Sequence, residues 1–352
     1  MRILLGEISS YKAIVIAKYI SAKYPNVEIW AYDNKPLISK LHTKYVNKCV
    51  FIPFKSTEEY IVSLAKYIGE NNIDVFIPVH SDYIGIILQH KDKFGNTLNY
   101  LGRYEDYVQL HEKDRLMSIA RQLNVTIPIE YKSFADAQYP FVLKPNNLSS
   151  AKGVKYIWND KDKEGIRNIN ESMICQQYIQ GQGCGYEVYC ENGKIITEYG
   201  HLRLAEWPIT GGSSVLRSGY THPDMRVIAE KILAHIPWTG FAMFEFKLTE
   251  NNRLVLIEVN PRIWGSINQA LQNNIPLFQS ILGTPQVGTN DNIAPLRTCL
   301  KPYIWMAMFR YALIGKINVL CDYFAHYRQT RNDINFFKDP LGVMSVFLRK
   351  II

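Results

Sequence analysis

Cysteine is sparse in this chain and none of it is arranged for metal chemistry. Cys49, Cys175, Cys184, Cys190, Cys299 and Cys321 are scattered over 352 residues without a Cys-x-x-Cys pair. That spacing argues against a zinc ribbon or finger and for free thiols in a reducing compartment. Internal repeats and low-complexity linkers are also missing, so domain boundaries are soft. No basic stretch leads into a signal-like apolar segment, because Met1-Arg2-Ile3-Leu4-Leu5-Gly6 has the length of a buried strand. The expected location is the cytoplasm. The most apolar stretch, Tyr303 to Phe309 followed by Tyr311 to Ile314, is interrupted by Arg310 and then Lys316, so a membrane span is not expected.

Acidic residues run short towards the end of the chain. From Leu296 onward nine Lys/Arg stand against three acids, which places six of the eight surplus positive charges in that tail. No familiar reader motif accompanies them, so nucleic acid is not an expected partner. The tail pairs its charge with Trp305, Met306, Met308, Phe309, Phe336, Phe337, Val346, Phe347 and Leu348. Such a pairing suits a weak contact with an anionic membrane or polyanion, or a helical cover over the body with Lys and Arg facing water.

The composition, 47% hydrophobic and 20% charged, is enough for a sizeable core in two or three subdomains. The first hundred residues alternate strand and helix patterns. Ile3-Leu4-Leu5 precedes a helical spacing through Ala13, Ile14, Ile16, Ala17, Tyr19 and Ile20; Val27 to Ala31 returns to strand, Tyr60 to Ile68 to helix, and Val75 to Val79 to strand. This βαβ order predicts a parallel sheet, with His80, Ser81, Asp82 and Tyr83 at a strand end where ligand groups collect. After a helix opening at Lys113, the pattern turns antiparallel, as in Phe141 to Lys144, Tyr186 to Tyr189, Ile195 to Glu198 and Leu254 to Val259. The expected class is α/β joined to α+β.

Chemistry concentrates in Gly240-Phe-Ala-Met-Phe-Glu245-Phe-Lys247, a polar turn at Thr249 to Asn252, and Arg253-Leu-Val-Leu-Ile-Glu258-Val-Asn260-Pro261-Arg262. Two strands joined by a turn make a hairpin, and period-two alternation puts Glu258 and Asn260 on one face, with Glu245 across from them. Two carboxylates and an amide oxygen are hard ligands that suit Mg²⁺ held against phosphates. Arg262 adds a fork of donors for phosphate or carboxylate oxygens.

This hairpin, with Trp264-Gly265-Ser266 after it, resembles the metal-binding hairpin of the ATP-grasp superfamily, in its carbamoyl-phosphate-synthase-like branch of carboxylate–amine ligases. The resemblance covers about residues 100 to 290. It implies a pre-ATP-grasp domain over 1–100, a two-subdomain ATP-grasp domain over 101–290 with nucleotide between subdomains joined near 175–180, and a helical basic tail over 291–352. It further implies Glu245, Glu258 and Asn260 as ligands of Mg²⁺, with Mn²⁺ as an alternative. Lys113 and Lys144 would contact ATP phosphates, under a small-residue loop that includes Ser149, Ser150, Lys152 and Gly153. Gln177, Tyr178 and Ile179 would read the adenine, and Glu187 would accept from the ribose hydroxyls. Gln177 stands where many members have glutamate, and the loop is poorer in glycine than in many members.

Arg203 belongs to a strand that runs from His201 into a Pro/Gly/Ser loop at 208–214. With Lys144 and Arg262 it would stabilise the reacting groups, and Arg217 is a second candidate contact. The implied activity is ATP-dependent ligation of a small-molecule carboxylate to an amine through an acyl phosphate, releasing ADP and phosphate. A nucleotide-binding regulatory protein without turnover is the alternative, and self-association stays open. No biotin-carrier lysine motif or second ATP-grasp copy is present, which disfavours a biotin carboxylase or a full carbamoyl-phosphate synthase.

Overall fold

The computed structural model describes residues 1–148, 153–164, 166, 172–209, 211–284 and 296–349. Its strands form three sheets, taken up in chain order.

The first sheet is parallel throughout. It comprises β1 (Arg2–Leu5), β2 (Glu28–Asp33), β3 (Lys48–Phe51) and β4 (Val75–Ile77), in the order β3-β2-β1-β4. Ile3, Leu4 and Leu5 are fully buried because helices cover both faces, as the unbroken apolar run requires. The chain leaves β1 in one direction to make β2 and returns on the other side to make β4. The carboxyl ends of β1 and β4 therefore flank a topological switch point, where open parallel sheets bind ligands. The helix Tyr11–Lys23 starts there.

The second sheet is antiparallel, in the order β5-β8-β6-β7, with β5 (Glu130–Tyr131), β6 (Phe141–Pro145), β7 (Lys155–Ile157) and β8 (Met173–Gln177). Phe141, Leu143, Ile157 and Cys175 form its small core.

The third sheet has seven strands: β9 (Gln182–Glu191), β10 (Lys194–Trp207), β11 (Ser213–Gly219), β12 (Gly240–Leu248), β13 (Leu254–Asn260), β14 (Arg297–Cys299) and β15 (Thr330–Asn332). Their order is β13-β12-β9-β10-β11-β14-β15. Period-two alternation divides its faces. Cys184, Tyr186, Val188, Phe244, Phe246 and Leu256 join Met225, Ala229, Ile232 and Leu233 of the helix Pro223–His235 in the largest core. The opposite face carries Tyr189, Tyr199, Phe241 and Met243 at one end, in a core shared with the helix Tyr11–Lys23. Glu187, His201, Arg203, Glu245 and Glu258 also lie on that face.

The tail is not only helical. Helices Tyr303–Leu313, Ile317–Ala325 and Pro340–Leu348 are present, but β14 and β15 also extend the seven-stranded sheet, β14 pairing antiparallel with β11 and parallel with β15. Each strand is three residues long, too short for a period-two signal in the sequence. Among the described residues no helix is long and apolar enough to cross a membrane.

Candidate functional site

The hairpin β12–β13 sets Glu245 and Glu258 directly opposite each other, with Met243 opposite Asn260. Like charges across a strand pair repel, so this arrangement needs compensation. Asn260 supplies part of it, donating from Nδ2 to Glu245 Oε1 and Glu258 Oε1, each at 2.9 Å. Cations supply the rest. Lys113 Nζ lies 3.7 Å from Glu258 Oε2, and an Arg203 guanidinium nitrogen pairs with Glu245 Oε2. Burial works to raise the Glu258 carboxyl, but the charges of Lys113 and Lys144 outweigh it and hold the group well below the usual carboxylate range. Glu245 shifts the other way, because burial outweighs its Arg203 partner.

Each cation is delivered by a different element. Lys113 opens the helix Lys113–Gln122 and donates to Leu148 O at 2.7 Å and Asn146 O at 3.3 Å, tying the helix to the segment after β6. Lys144 sits on β6 of the second sheet and reaches Ile257 O of β13 in the third, at 3.3 Å. Its burial pushes the ammonium down to about 8. Arg203 reaches Glu245 across β9 because Gly183 leaves the trough open: a Cβ there would stand 3.0 Å from Arg203 Cδ. Arg262 Nη2 holds Asn260 Oδ1 at 2.7 Å and Nη1 donates to Ile263 O at 3.2 Å.

The two carboxylates fit a hard divalent cation by chemistry and by facing position. Among the described residues no cluster of three or more His, Cys, Asp or Glu could hold a metal, so phosphate and water would have to complete the shell. Asn260 departs from the expectation, because it presents its N–H groups to the carboxylates while Arg262 holds its oxygen. Arg203 likewise engages a carboxylate rather than standing ready for an anion.

Other expected residues fall in mixed places. Ser149, Ser150 and Lys152 lie outside the described residues. Gly153 adopts φ 73°, with space for a Cβ closed by Pro145 Cγ at 2.8 Å. Gln177 turns its Oε1 to Ile129 N at 3.5 Å, and the Tyr178 N–H donates to Pro140 O at 3.2 Å; Ile179 follows directly. The base edge would therefore meet backbone groups other than the Tyr178 N–H.

Glu187 requires correction. It is fully buried on the interior strand β9, where it accepts from Ser266 Oγ and lies 3.1 Å from His201 Nδ1. A carboxylate enclosed in that way cannot serve a ribose at the 175–180 connection. The exposed side chain directly after that connection is Gln182. His201 is structural: it is fully buried, and burial lowers its pKa despite Glu187 beside it. Arg217 is also spent internally, on Asp333 and on Ser214 O at 2.9 Å.

Reading along the sequence missed a second set of groups, at the β1/β4 switch point. A cleft of about 380 Å³ is lined there by Ser9, Tyr11, His80, Trp207, Ser213 and Arg349, joining the N-terminal sheet, the β10–β11 loop and the last helix. Arg349 Nη1 donates to Ser9 Oγ at 2.8 Å and lies 3.9 Å from Asp33 Oδ2. Beneath it Glu7, fully buried in a left-handed conformation at φ 41°, accepts from Tyr32 and Tyr60 at 3.0 Å each. Burial raises its carboxyl to about 6. Such strain at a strand end is characteristic of ligand sites. The only sequence signal was the strand-end position of His80; Arg349 lies 269 positions later in the chain, and nothing local connects the two.

Comparison with known proteins bears on the fold around this site. Residues 110–266 match the ATP-grasp domain family. No curated protein matches the sequence. Among solved structures, an L-amino acid ligase from Bacillus licheniformis is similar at 16% identity and a TM-score of 0.60, covering 84% of this chain and 77% of that one. N5-carboxyaminoimidazole ribonucleotide synthetase from Thermotoga maritima is similar at 14% identity and a TM-score of 0.59, covering 84% and 79%. The biotin carboxylase domain of 2-oxoglutarate carboxylase from Hydrogenobacter thermophilus, in complex with MgADP and bicarbonate, gives 11% identity and a TM-score of 0.62, covering 84% and 72%.

Proposed function

Since the chain carries an ATP-grasp domain over residues 110–266, we propose that it is an ATP-dependent carboxylate–amine ligase that works through an acyl phosphate. The observation that carries this reading is the cluster Lys113–Glu258–Asn260–Glu245–Arg203 at the seam between two antiparallel sheets. Glu258 and Glu245 would hold Mg²⁺ or Mn²⁺, which when bound supplies charge neutralisation to the phosphates.

The chain's own groups supply position and field. Lys113 and Lys144 place two fixed cations beside the carboxylates, and Arg262, held by Asn260 Oδ1 and Ile263 O, adds a third charge at the end of β13. A substrate carboxylate oxygen attacks the γ-phosphorus and ADP leaves. An amine then attacks the acyl carbon and phosphate leaves. The cleft at the β1/β4 switch point suits the acid, with Arg349 as its anion contact and Trp207 as an apolar wall. The six cysteines are all unpaired, which fits our placement of the protein in the cytoplasm.

One observation favours the alternative of a nucleotide-binding protein without turnover: Arg203 already neutralises Glu245. The two readings separate by experiment. Acids and amines are screened for substrate-dependent ADP release, products are identified by mass, and hydroxylamine is added in place of the amine. A hydroxamate with ADP and phosphate supports the ligase. AMP and pyrophosphate would exclude the acyl phosphate, and nucleotide binding without release under any substrate would support the regulatory reading.

A further inference from the structure

The helix Tyr303–Leu313 is built with both sides apolar. Ile304, Ala307, Met308 and Tyr311, at spacings of three and four, are buried against Ala205, Val215 and Leu216 of the seven-stranded sheet. That face accounts for the helix's packing on the sheet. The opposite face should be polar, yet it presents Trp305, Met306, Phe309 at 69% exposure and Leu313 at 61%. The following turn adds exposed Ile314 and Ile317, and the helix Ile317–Ala325 adds Phe324 at 56%. The outer faces of the two helices meet where the Trp305 and Phe324 rings lie 6.4 Å apart. A contiguous apolar surface of this kind on a folded chain marks an interaction site.

Its charges identify the partner's sign. Lys301, Arg310, Lys316, Arg328 and Arg331 lie between positions 301 and 331, where Asp322 is the one acid. Asp322 is already paired with Arg297. Arg310 sits between Phe309 and Leu313, and Lys316 between Ile314 and Ile317, so cations and apolar groups share one surface. A second copy of the chain docked through a two-fold axis would bring these cations against their own counterparts, with Asp322, already paired with Arg297, the one acid between positions 301 and 331 to receive them.

We propose that the outer face of the helix pair Tyr303–Leu313 and Ile317–Ala325 docks on an anionic lipid bilayer. The aromatic and aliphatic side chains enter the boundary between headgroups and acyl chains, while Arg310, Lys316 and Arg328 meet lipid phosphates. The pair lies on the membrane and does not cross it. This inference stands apart from the ligase reading, since it uses none of the groups assigned there.

The test is flotation of the purified full chain with vesicles of phosphatidylglycerol and phosphatidylcholine, against vesicles of phosphatidylcholine alone. The chain is expected to float with the mixed vesicles at low salt, to release at high salt as charges are screened, and to ignore the neutral ones. The double substitution Phe309→Ser with Leu313→Ser, both on exposed positions, should abolish flotation and leave thermal unfolding unchanged. Arg310→Gln with Lys316→Gln should weaken binding by about 25-fold, at about fivefold per cation. Two outcomes overturn the proposal: a folded wild-type chain that stays with the soluble fraction at low salt, or a dimer in solution that Phe309→Ser dissociates, which would make this face an interface between copies.

Discussion

Lys113 and Glu258, 145 positions apart in sequence, stand 3.7 Å apart in the fold, joining the first turn of a helix to the seven-stranded sheet. Both side chains are largely withdrawn from water, so removing either one takes a close counter-ion from the other.

Glu258→Gln should therefore act on both stability and chemistry. Loss of the carboxylate leaves Lys113 with its carbonyl partners but no counter-ion, and removes a cation ligand. The expected outcome is a drop in turnover on the order of a hundredfold or more, measured as substrate-dependent ADP release, with a lowered melting temperature. Near-normal turnover would sink the metal assignment.

Glu7 makes a prediction about pH. Its folded pKa, raised by burial to about 6, lies above its unfolded value, so the folded state holds the extra proton between roughly 4.5 and 6. The stability this contributes is present below the unfolded value and is lost as pH rises through about 6. The loss amounts to about 2 kcal/mol by linkage. Urea unfolding followed from about pH 4 to 8 should show that decline in the wild type and lack it in Glu7→Gln.

Arg349 tests the cleft. If it is the anion contact for the acid, Arg349→Ala should raise the KM for that substrate by about ten- to a hundredfold while the KM for ATP holds, since neither Lys113 nor Lys144 lines the cleft. Equal changes in both constants would assign Arg349 to the fold alone, through Ser9 and Asp33.

Gly185 lies under His201, where an added Cβ would come within 2.4 Å of the imidazole Cε1. Neither group can move far in the centre of a sheet. Gly185→Ala should cost roughly 1–3 kcal/mol by overpacking, and His201→Ala in the same chain should recover part of it. Thermal melts of the two singles and the double would show strict additivity if the two residues do not touch.

The alternating patterns foretold the parallel and then antiparallel sheets because side-chain periodicity is a local property of the backbone. The pairing of Glu245 with Glu258 was legible for the same reason, as a short turn sets a hairpin's register within a few residues. Glu187 shows where local reading stops. The family resemblance implied a ribose contact for it, but β9 carries it into the interior of the sheet beneath Ser266. Distance along the chain gave no warning of that depth.

Sequence alone thus determined the kinds of element, their order and the one site that a single hairpin contains. Tertiary structure decided everything assembled from distant segments: Lys144 reaching β13 from another sheet, Arg203 on Glu245, Arg349 over Ser9, and the tail's two strands at the edge of the large sheet. The reason is physical. Periodicity and turn chemistry act over a few residues, whereas a buried ion pair or a cleft wall is fixed by how separate elements pack, and that packing leaves no mark in either partner's local sequence.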